Sequence, residues 1–312
     1  MIILASVLQV DFVNQEMVEL LKNIPDMTWT PGIPAIFAGK SEEEVFMMIG
    51  DTNINFQHDL EPDILEKEAA METQELLEKA VLPDSFSWFD LKPECMLLRD
   101  VGLCYAHWAF SSLGVFGDNR CIKGRDPVRV TYSEQYRISC DYYAIDLKYD
   151  HCVTGNISFN PYFMYSEGLP TDTCIRYTGK YTRCPTVCDN GSPLVRTTVA
   201  SGKIYNGFLN KPNATSKEDM MKQHIMNFGS LLGSYDVYSD FLYYVDGIYQ
   251  HVSGNFQGKQ PVIIVGWGEE DGVKYWNIRN NWGLAFGEDG YFRILRGVNH
   301  CNIEDQCTVY EV

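Results

Sequence analysis

The stretch that decides the fold covers residues 99–110 and reads RDVGLCYAHWAF. Apolar side chains recur at helical intervals from Leu103 to Phe116. Such a repeat is typical of a helix packed into a core. We therefore expect a buried helix to start within this stretch, with His107 in its first turn.

The C-terminal part of the chain has a different pattern. Residues 262–268 (VIIVGWG), 275–278 (YWNI) and 290–294 (GYFRI) are rich in β-branched and aromatic residues, and Glu-Asp-Gly turns separate them. These runs predict strands. A helix-rich first part followed by a strand-rich second part favours the α+β class, with two lobes and a cleft between them.

The overall composition excludes several classes of protein. The chain has 312 residues, of which 45% are apolar, 13% aromatic and 21% charged. This composition excludes disorder of the whole chain and a coiled coil, and the length allows a sizeable core. The formal net charge of −17 disfavours nucleic acid and anionic lipid as partners. No window of about 18 uncharged apolar residues occurs, so we expect no membrane span.

The cysteines indicate an oxidising compartment. All ten follow Pro83, and their spacing matches no zinc module, so we expect disulfides and neither metal nor cofactor. The first residues, MIILASVLQV, resemble a shortened secretory signal, with an incompletely predicted gene start or a buried first strand as the alternatives. Sequons at Asn156, Asn190 and Asn213 are permissive for glycosylation there.

Composition also divides the chain into three parts. We expect a short signal at residues 1–10, a cysteine-free region at residues 11–81 and a main domain at residues 82–312. Prolines surround Trp29 within residues 23–37, which predicts extended chain with turns. Residues 59–79 contain eight carboxylates and two lysines, which predicts an acidic, solvated helix.

Several of these stretches resemble one family. Residues 99–110 are similar to the nucleophile region of papain-family cysteine peptidases, Q-G-x-C-G-S-C-W-A-F. Residues 260–268 resemble the family's H-A-V-x-x-V-G-W-G strand, and residues 275–283 resemble Y-W-x-x-x-N-S-W-G. Residues 287–293 match G-E-x-G-Y-F-R. The cathepsin B-like branch is indicated by Cys95 and by residues 132–135 (YSEQ), 139–141 (SCD), 237–241 (VYSDF) and 247–251 (GIYQH).

The resemblance implies a papain-like fold with a helical lobe and a barrel-like lobe. It implies that residues 11–81 are a propeptide lying along the cleft, with Trp29 buried at the contact. It also implies a disulfide framework, which leaves Cys301 and Cys307 to pair with each other or stay free. The implied bonds are Cys95–Cys121, Cys104–Cys152, Cys140–Cys184 and Cys174–Cys188.

Catalysis in this family needs four groups: a thiolate, an imidazole that takes its proton, a residue that orients the imidazole, and a side-chain amide for the oxyanion. By resemblance these roles fall on His107, Gln260, Asn280 and Val101, respectively. Only Asn280 matches the family, and Cys104 is expected in a disulfide. We therefore predict that the chain is catalytically inactive.

The resemblance places four more residues in the cleft. Gly155 ends a loop that reads HCVTG and offers backbone hydrogen bonds to substrate, and Asn156 would put a glycan at the rim. Pro261 and Gln306 fall on the wall that sets side-chain preference. Trp282 matches the indole that shelters the family's His–Asn pair, with a plain core aromatic as the alternative. The paired histidines of the occluding loop are absent from the sequence.

Functions of different classes stay open at this stage. We favour an inactive cathepsin B-like protein that binds peptides, proteases or protease inhibitors in the old cleft, with its own propeptide as one occupant. The alternative is an active cysteine endopeptidase, and a secreted storage or structural protein is a third reading. The expected location is the secretory pathway, ending in a lysosome-like or vacuolar compartment or outside the cell.

Overall fold

The structure is a computed structural model that describes residues 12–49, 81–102, 104–140, 152, 155, 157, 160–199, 204–205 and 217–310. The acidic stretch at residues 59–79, the N-terminal residues 1–10, Asn156 and Asn213 lie outside these ranges. Within the ranges, no helix is long and apolar enough to cross a membrane. Among the same residues, no three His, Cys, Asp or Glu side chains form a group that could hold a metal ion.

The first described part, residues 12–49, is named here the N-terminal segment. It consists of helix α1 (Gln15–Lys22), strand β1 (Trp29–Pro31) and helix α2 (Glu42–Met48). A capping box fixes the start of α2, because the Ser41 hydroxyl accepts from the Glu44 N–H and the Glu44 carboxylate accepts from the Ser41 N–H. The capping box therefore fixes the residue at which α2 begins.

The helical lobe is built around one central helix. Its elements are α3 (Trp88–Leu91), a 3₁₀ turn (Pro93–Cys95), α4 (His107–Ile122), α5 (Glu134–Cys140) and α6 (Asn160–Ser166). Nearly every residue of α4 is buried, so α4 is the core of this lobe. It starts later than the pattern from Leu103 predicts, because residues 104–107 form tight turns with bonds from the Ala106 N–H to the Cys104 carbonyl and from the His107 N–H to the Tyr105 carbonyl.

The second lobe is a strand-rich layer. After α7 (Lys217–Phe228) come β4 (Leu231–Tyr238), a 3₁₀ helix (Ser239–Tyr243), β5 (Tyr244–Tyr249), β6 (Phe256–Glu270), β7 (Val273–Arg279), β8 (Tyr291–Leu295), a 3₁₀ turn (His300–Asn302) and β9 (Cys307–Tyr310). The short strands β2 (Phe86–Ser87) and β3 (Ile204–Tyr205) complete the set. The order is β1-β5-β8-β7-β6-β4-β9-β3, with β2 added on β6. The expected α+β class and the three expected strands are confirmed.

Two separate hydrophobic cores define the two lobes. One contains the buried faces of the sheet together with apolar residues of the N-terminal segment. The other contains α4, the cysteines of the helical lobe and the side of β6 that faces α4. The helical lobe therefore lies against β6, and the start of α4 lies beside Trp282, shortly after the end of β7.

Buried polar contacts fix the two lobes against each other beside this cleft. Asp118 of α4 accepts a hydrogen bond at 2.7 Å from Arg279 at the end of β7, and a second at 2.8 Å from Arg129. Asn281 Nδ2 donates to Ser111 Oγ of α4 at 2.6 Å. A buried ion pair that loses one partner leaves an uncompensated charge, so these contacts hold α4 and β7 in one register.

The disulfides crosslink the helical lobe alone. The structure contains the four bonds that the resemblance implies, and Cys301 and Cys307 are free thiols. A disulfide contributes about 2–4 kcal/mol, mainly by restricting the unfolded chain. Two of these bonds tie α4 and α5 to neighbouring chain, through Cys121 and Cys140.

The N-terminal segment is part of the sheet. Strand β1 pairs antiparallel with β5, and Trp29 lies opposite Gly247. Gly247 has φ 95°, and a Cβ there would lie 2.6 Å from the Thr28 carbonyl oxygen, so only glycine lets the two backbones approach. Trp29 is 5% exposed, and its Nε1 donates to the Gln250 carbonyl at 2.9 Å. The expected burial of Trp29 is confirmed.

Candidate functional site

Position 107 lies where α4 begins. His107 is the first residue of the helix and is 1% exposed. Hydrogen bonds from Tyr177 fix the backbone that leads to His107. The Tyr177 hydroxyl donates to the Val101 carbonyl at 2.6 Å and to the Cys104 carbonyl at 3.0 Å. The Cys104–Cys152 disulfide fixes the same stretch. The side chain at position 107 therefore sits at the positive end of a long buried helix, on a well-supported backbone.

The surroundings of His107 are apolar and uncharged. Its ring lies edge-on to Trp282, with 6.5 Å between ring centroids. Neither ring nitrogen makes a hydrogen bond within the described part of the chain. Burial lowers the pKa of His107 to about 3, and the nearby Met48 carbonyl opposes this shift only in part. The imidazole is therefore neutral while the N-terminal segment covers it.

The opposite wall is formed by the sheet. Gln260 of β6 and Asn280, directly after β7, are both fully buried, and Gln260 Nε2 donates to Asn280 Oδ1 at 3.5 Å. The Asn281 N–H donates to the same oxygen at 2.9 Å. An Asn oxygen fixed in this way orients whichever N–H group stands at position 260. A glutamine amide has no titration near neutral pH, so it cannot take up a proton from a nucleophile.

Trp282 closes the site on the side of the N-terminal segment. Its Nε1 donates to the Met48 carbonyl at 2.8 Å. Phe37 lies edge-on to it at 5.4 Å and Phe286 at 4.7 Å. Trp282 therefore combines a hydrogen bond through its indole N–H with ring contacts to Phe37 and Phe286.

The other expected cleft residues lie around these two walls. Val101 is 3% exposed and offers no side-chain donor, while its N–H donates to the Asn281 carbonyl at 3.2 Å. Gly155 packs so closely on Trp108 that a Cβ would lie 2.1 Å from the indole. The structure thus brings Gly155 against Trp108 in the first turn of α4.

On the sheet side, Pro261 lies opposite Ser234 in the pairing of β4 with β6. Gln306 is next to them, because the Ser234 N–H donates to its carbonyl at 2.8 Å. The side-chain amide of Gln306 donates to Asp236 at 3.2 Å, and Lys259 pairs with the same carboxylate at 3.6 Å. Polar and charged side chains therefore lie beside Pro261 on the sheet side.

Two residues near the site have roles that the sequence does not predict. Met48 carries the main-chain carbonyl that faces Trp282, and Tyr177 holds the loop before α4. Neither position has a periodic or motif signal, since both act through contacts between residues distant in sequence. The expected glycosylation site Asn190 is exposed in a turn, where its Oδ1 accepts from the Ser192 N–H at 3.0 Å.

The two free thiols lie away from position 107 in the chain and are protonated. Cys301 and Cys307 belong to the strand-rich lobe, and Cys307 is buried. Burial raises the pKa of both thiols well above the usual range, with Asp240 adding to the effect at Cys301 and Glu304 at Cys307. Such thiols are poor nucleophiles, because the thiolate is the reactive form.

Comparisons with known proteins agree with this architecture. Residues 82–311 match the family model described as papain family cysteine protease. The chain is 36% identical to Cathepsin B-like CP2 of Giardia intestinalis over 286 residues. This alignment covers 89% of this chain and 87% of that protein. It is 31% identical over 241 residues to Cathepsin B-like cysteine proteinase 3 of Caenorhabditis elegans, covering 72% and 64%, respectively.

A solved proenzyme has a similar structure. The proCathepsin B S9 from Trypanosoma congolense has a TM-score of 0.80 at 25% identity, over 96% of this chain and 97% of that chain. The chain therefore belongs to the papain family of cysteine proteases. Its relatives are cathepsin B-like, and the likeness to the proenzyme extends through the N-terminal segment.

Proposed function

We propose that this cathepsin B-like protein binds peptide chain in its cleft and does not cleave it. The observation that carries the proposal is the residue at the start of α4, His107, which brings an imidazole where the family uses a thiol. Loss of the nucleophile alone costs about 10⁶ in turnover in a comparable triad. The ligand is a peptide, or the exposed chain of a protease or a protease inhibitor.

The residue roles follow from the four aligned positions. We assign position 107 to the former nucleophile, 260 to the former base, 101 to the former oxyanion donor and 280 to the orienting residue. Gln260 can donate and accept hydrogen bonds but cannot relay a proton, and Val101 contributes no donor. The Asn280 contact to the Gln260 amide supports this assignment, because it is a contact that an imidazole N–H could also make.

The alternative is an active cysteine endopeptidase. It needs an accessible thiolate near an imidazole. The described free thiols are Cys301 and Cys307, and their raised pKa values favour the unreactive thiol form. Cys104 is tied to Cys152. These observations favour binding over turnover.

We further propose three parts for the chain: a signal at residues 1–10, a propeptide at 11–81 and a papain-like domain at 82–312. The pairing of β1 with β5 and the burial of Trp29 support a propeptide that docks on the main domain. Four disulfides and the family relationship support a secretory route to a lysosome-like or vacuolar compartment, or to the outside of the cell.

The test pairs a turnover assay with a capture assay on the full chain. We expect no hydrolysis of dibasic or hydrophobic fluorogenic peptides between about pH 4 and pH 8, where the family's ion pair would be charged, and no labelling by a thiol-directed epoxide. A peptide library should yield bound, uncut sequences, and a protein with His107→Trp should lose this capture because the larger ring fills the cleft. Turnover that the epoxide abolishes would contradict the proposal.

A further inference from the structure

A disulfide-bonded loop of the helical lobe carries a group of exposed cations. The loop, residues 174–188, reads CIRYTGKYTRCPTVC and is named here the cationic loop. Its charged side chains are those of Arg176, Lys180 and Arg183, all exposed, and it contains no carboxylate side chain. Because the whole chain has a net charge of −17, the loop reverses the sign of the charge locally.

The cationic loop has a fixed shape. Two disulfides close it and tie it to the end of α5. The buried side chain of Gln135 bonds it from below, because its Oε1 accepts from the Thr178 N–H at 2.9 Å and its Nε2 donates to the Lys180 carbonyl at 3.0 Å. The backbone that carries the cations is therefore ordered in advance, which lowers the entropy cost of binding a partner.

The carboxylates beside the loop have other partners. Asp172 lies 3.8 Å from Arg99, and Asp189 accepts from the main-chain N–H of Arg176 at 2.9 Å. Asp100 accepts at 2.8 Å from the main-chain N–H two residues further on. Within the described part of the chain, no ion pair joins the three cations of the loop to a carboxylate. Their charges are thus available to a ligand.

A cavity of about 470 Å³ links the loop to the candidate functional site. Its lining contains Arg176 of the loop and Asp100, the neighbour of Val101. The backbone of Asp100 forms a β-bridge with Trp282. The remaining lining residues are Leu98, Arg99, Asp172 and Tyr177. A peptide that leaves the cleft at position 101 in this direction therefore reaches the loop across the cavity.

The walls of the cavity decide which acidic ligand fits. Arg99 is neutralised by the buried Glu134, with two bonds at 3.0 Å and 2.9 Å. Asp100 and Asp172 add negative charge to the same cavity. They repel a polymer that is charged throughout, such as a sulfated polysaccharide. A peptide can instead place uncharged main chain in the cavity and carboxylate side chains on the loop.

We propose that the cationic loop is a second binding surface, which recognises the acidic side chains of a peptide ligand. The carboxylates of the ligand bind Arg176, Lys180 and Arg183 through charge-assisted hydrogen bonds, and its main chain crosses the cavity to the cleft. This inference rests on the proposed function. It adds the class of peptide that is bound, one whose part beyond position 101 is rich in Asp and Glu.

The experiment measures binding of a fluorescein-labelled peptide to the full chain by fluorescence anisotropy at pH 7.5 and low salt. The peptide alternates glycine with six glutamates and has an amidated C-terminus, so that every carboxylate belongs to a side chain. The triple variant Arg176→Gln, Lys180→Gln and Arg183→Gln should bind about tenfold more weakly, because each exposed ion pair contributes about two- to threefold. No binding by the wild type, or equal affinity of the triple variant, would overturn the proposal.

A matched variant controls for net charge. Lys22→Gln, Arg125→Gln and Lys274→Gln together remove the same charge from exposed positions outside the loop. This variant should keep the affinity of the wild type within twofold. A loss equal to that of the loop variant would mean that the peptide senses only the net charge, and would overturn the proposal.

Two further controls concern the ligand. A peptide with glutamine in place of glutamate should not bind, and equal binding of this peptide would overturn the proposal. A heparin oligosaccharide with six sulfates should displace the labelled peptide less well than the unlabelled peptide does. Displacement at a lower concentration would assign the loop to a polysaccharide and overturn the proposal.

Crosslinking with a carbodiimide covers the case in which the triple variant does not fold. The reagent joins a carboxylate to the Lys180 ammonium group, so mass spectrometry should find the acidic peptide on Lys180. Lys180→Arg keeps the charge and should keep the affinity, yet lose this product. A product that joins Lys180 to residues 59–79 in preference to the added peptide would assign the loop to this chain itself and overturn the proposal.

The peptide library separates this inference from the proposed function. Sequences captured by the wild type should be enriched in Asp and Glu, and the loop variant should lose this enrichment. Capture by the wild type without enrichment would overturn the inference and leave the proposed function in place. If library capture fails while the glutamate peptide binds the loop, the proposed function of the cleft is wrong and the loop surface stands.

Discussion

The two walls of the cleft differ in the hydrogen bonds that their polar side chains make. On the sheet wall, Gln260, which we propose to occupy the position of the family's imidazole, donates its amide to Asn280. On the helix wall, His107, which we propose to occupy the position of the thiol, has ring nitrogens without a hydrogen bond among the described residues. Under this assignment, the residue on the sheet wall keeps a hydrogen bond and loses a titratable group, whereas the residue on the helix wall is a buried titratable group without a hydrogen bond.

The largest effect we expect comes from restoring both walls. The triple variant Val101→Gln, His107→Cys and Gln260→His should cleave fluorogenic peptides, with turnover that a thiol-directed epoxide abolishes. The helix start lowers the pKa of a thiol at position 107, and Asn280 is in place to orient an imidazole at position 260. The glutamine at position 101 should add at most about 2.7–4 kcal/mol, the value of one oxyanion donor.

The control for this variant is His107→Cys alone. It should alkylate faster than a free cysteine and turn over no peptide, because no imidazole accepts its proton. A folded triple variant with neither turnover nor a reactive thiol would show that the four positions are wrongly assigned.

The next effect tests the polar link between the walls. Asp118→Ala leaves Arg279 and Arg129 without their shared carboxylate in the interior, so the free energy of unfolding should fall by about 3–5 kcal/mol in urea denaturation. Glu19→Ala, which breaks an exposed ion pair with Lys22, is the matched control and should leave the denaturation midpoint unchanged. Equal midpoints for the two variants would mean that the walls are held by packing alone.

A smaller effect concerns how the segment is attached. Trp29→Ala removes a buried indole and its bond to the Gln250 carbonyl, and should weaken docking of β1 by about 3 kcal/mol. Limited proteolysis should then cut within residues 12–49 while residues 82–310 stay intact. Leu20→Ala, at a position 58% exposed on α1, should leave the cleavage pattern of the wild type. Cuts that spread equally into the main domain would contradict local release.

The smallest effect isolates one hydrogen bond of the sheet wall. Trp282→Phe keeps a ring against Phe37 but loses the N–H that binds the Met48 carbonyl, which is worth about 1 kcal/mol. Hydrogen exchange at the backbone amides of residues 45–49 should become about fivefold faster. Trp88→Phe removes an equivalent bond to the Ile225 carbonyl at 2.7 Å, away from the segment, and should not change this exchange. A similar rise in both variants would point to general loosening.

The sequence predicts the elements of this molecule better than its contacts. Strand composition indicates β6, β7 and β8, and the family resemblance indicates the disulfides and the burial of Trp29. The start of α4 at His107 is set by turns and by the bond of Cys104, which helical periodicity does not report.

The chemistry of the site depends on tertiary packing. The hydrogen bond from Trp282 to the Met48 carbonyl joins residues far apart in the chain, and no spacing encodes it. The contact between Gln260 and Asn280 depends on the register of β6 and β7, which shifts between Ile264 and Gly266. Such contacts follow from how the two lobes and the segment meet, so they need the three-dimensional structure.

The pairing of β1 with β5 has a consequence for solubility. Strand β1 is the last strand on its side of the sheet, and it covers the backbone of β5. An uncovered strand exposes unpaired N–H and C=O groups that recruit strands from other molecules. Gly247 allows the β1 backbone to approach closely at that edge. A chain cut free of residues 12–49 would therefore aggregate by strand addition, and light scattering after such a cut would report it. With the segment in place, β1 keeps the edge of β5 paired.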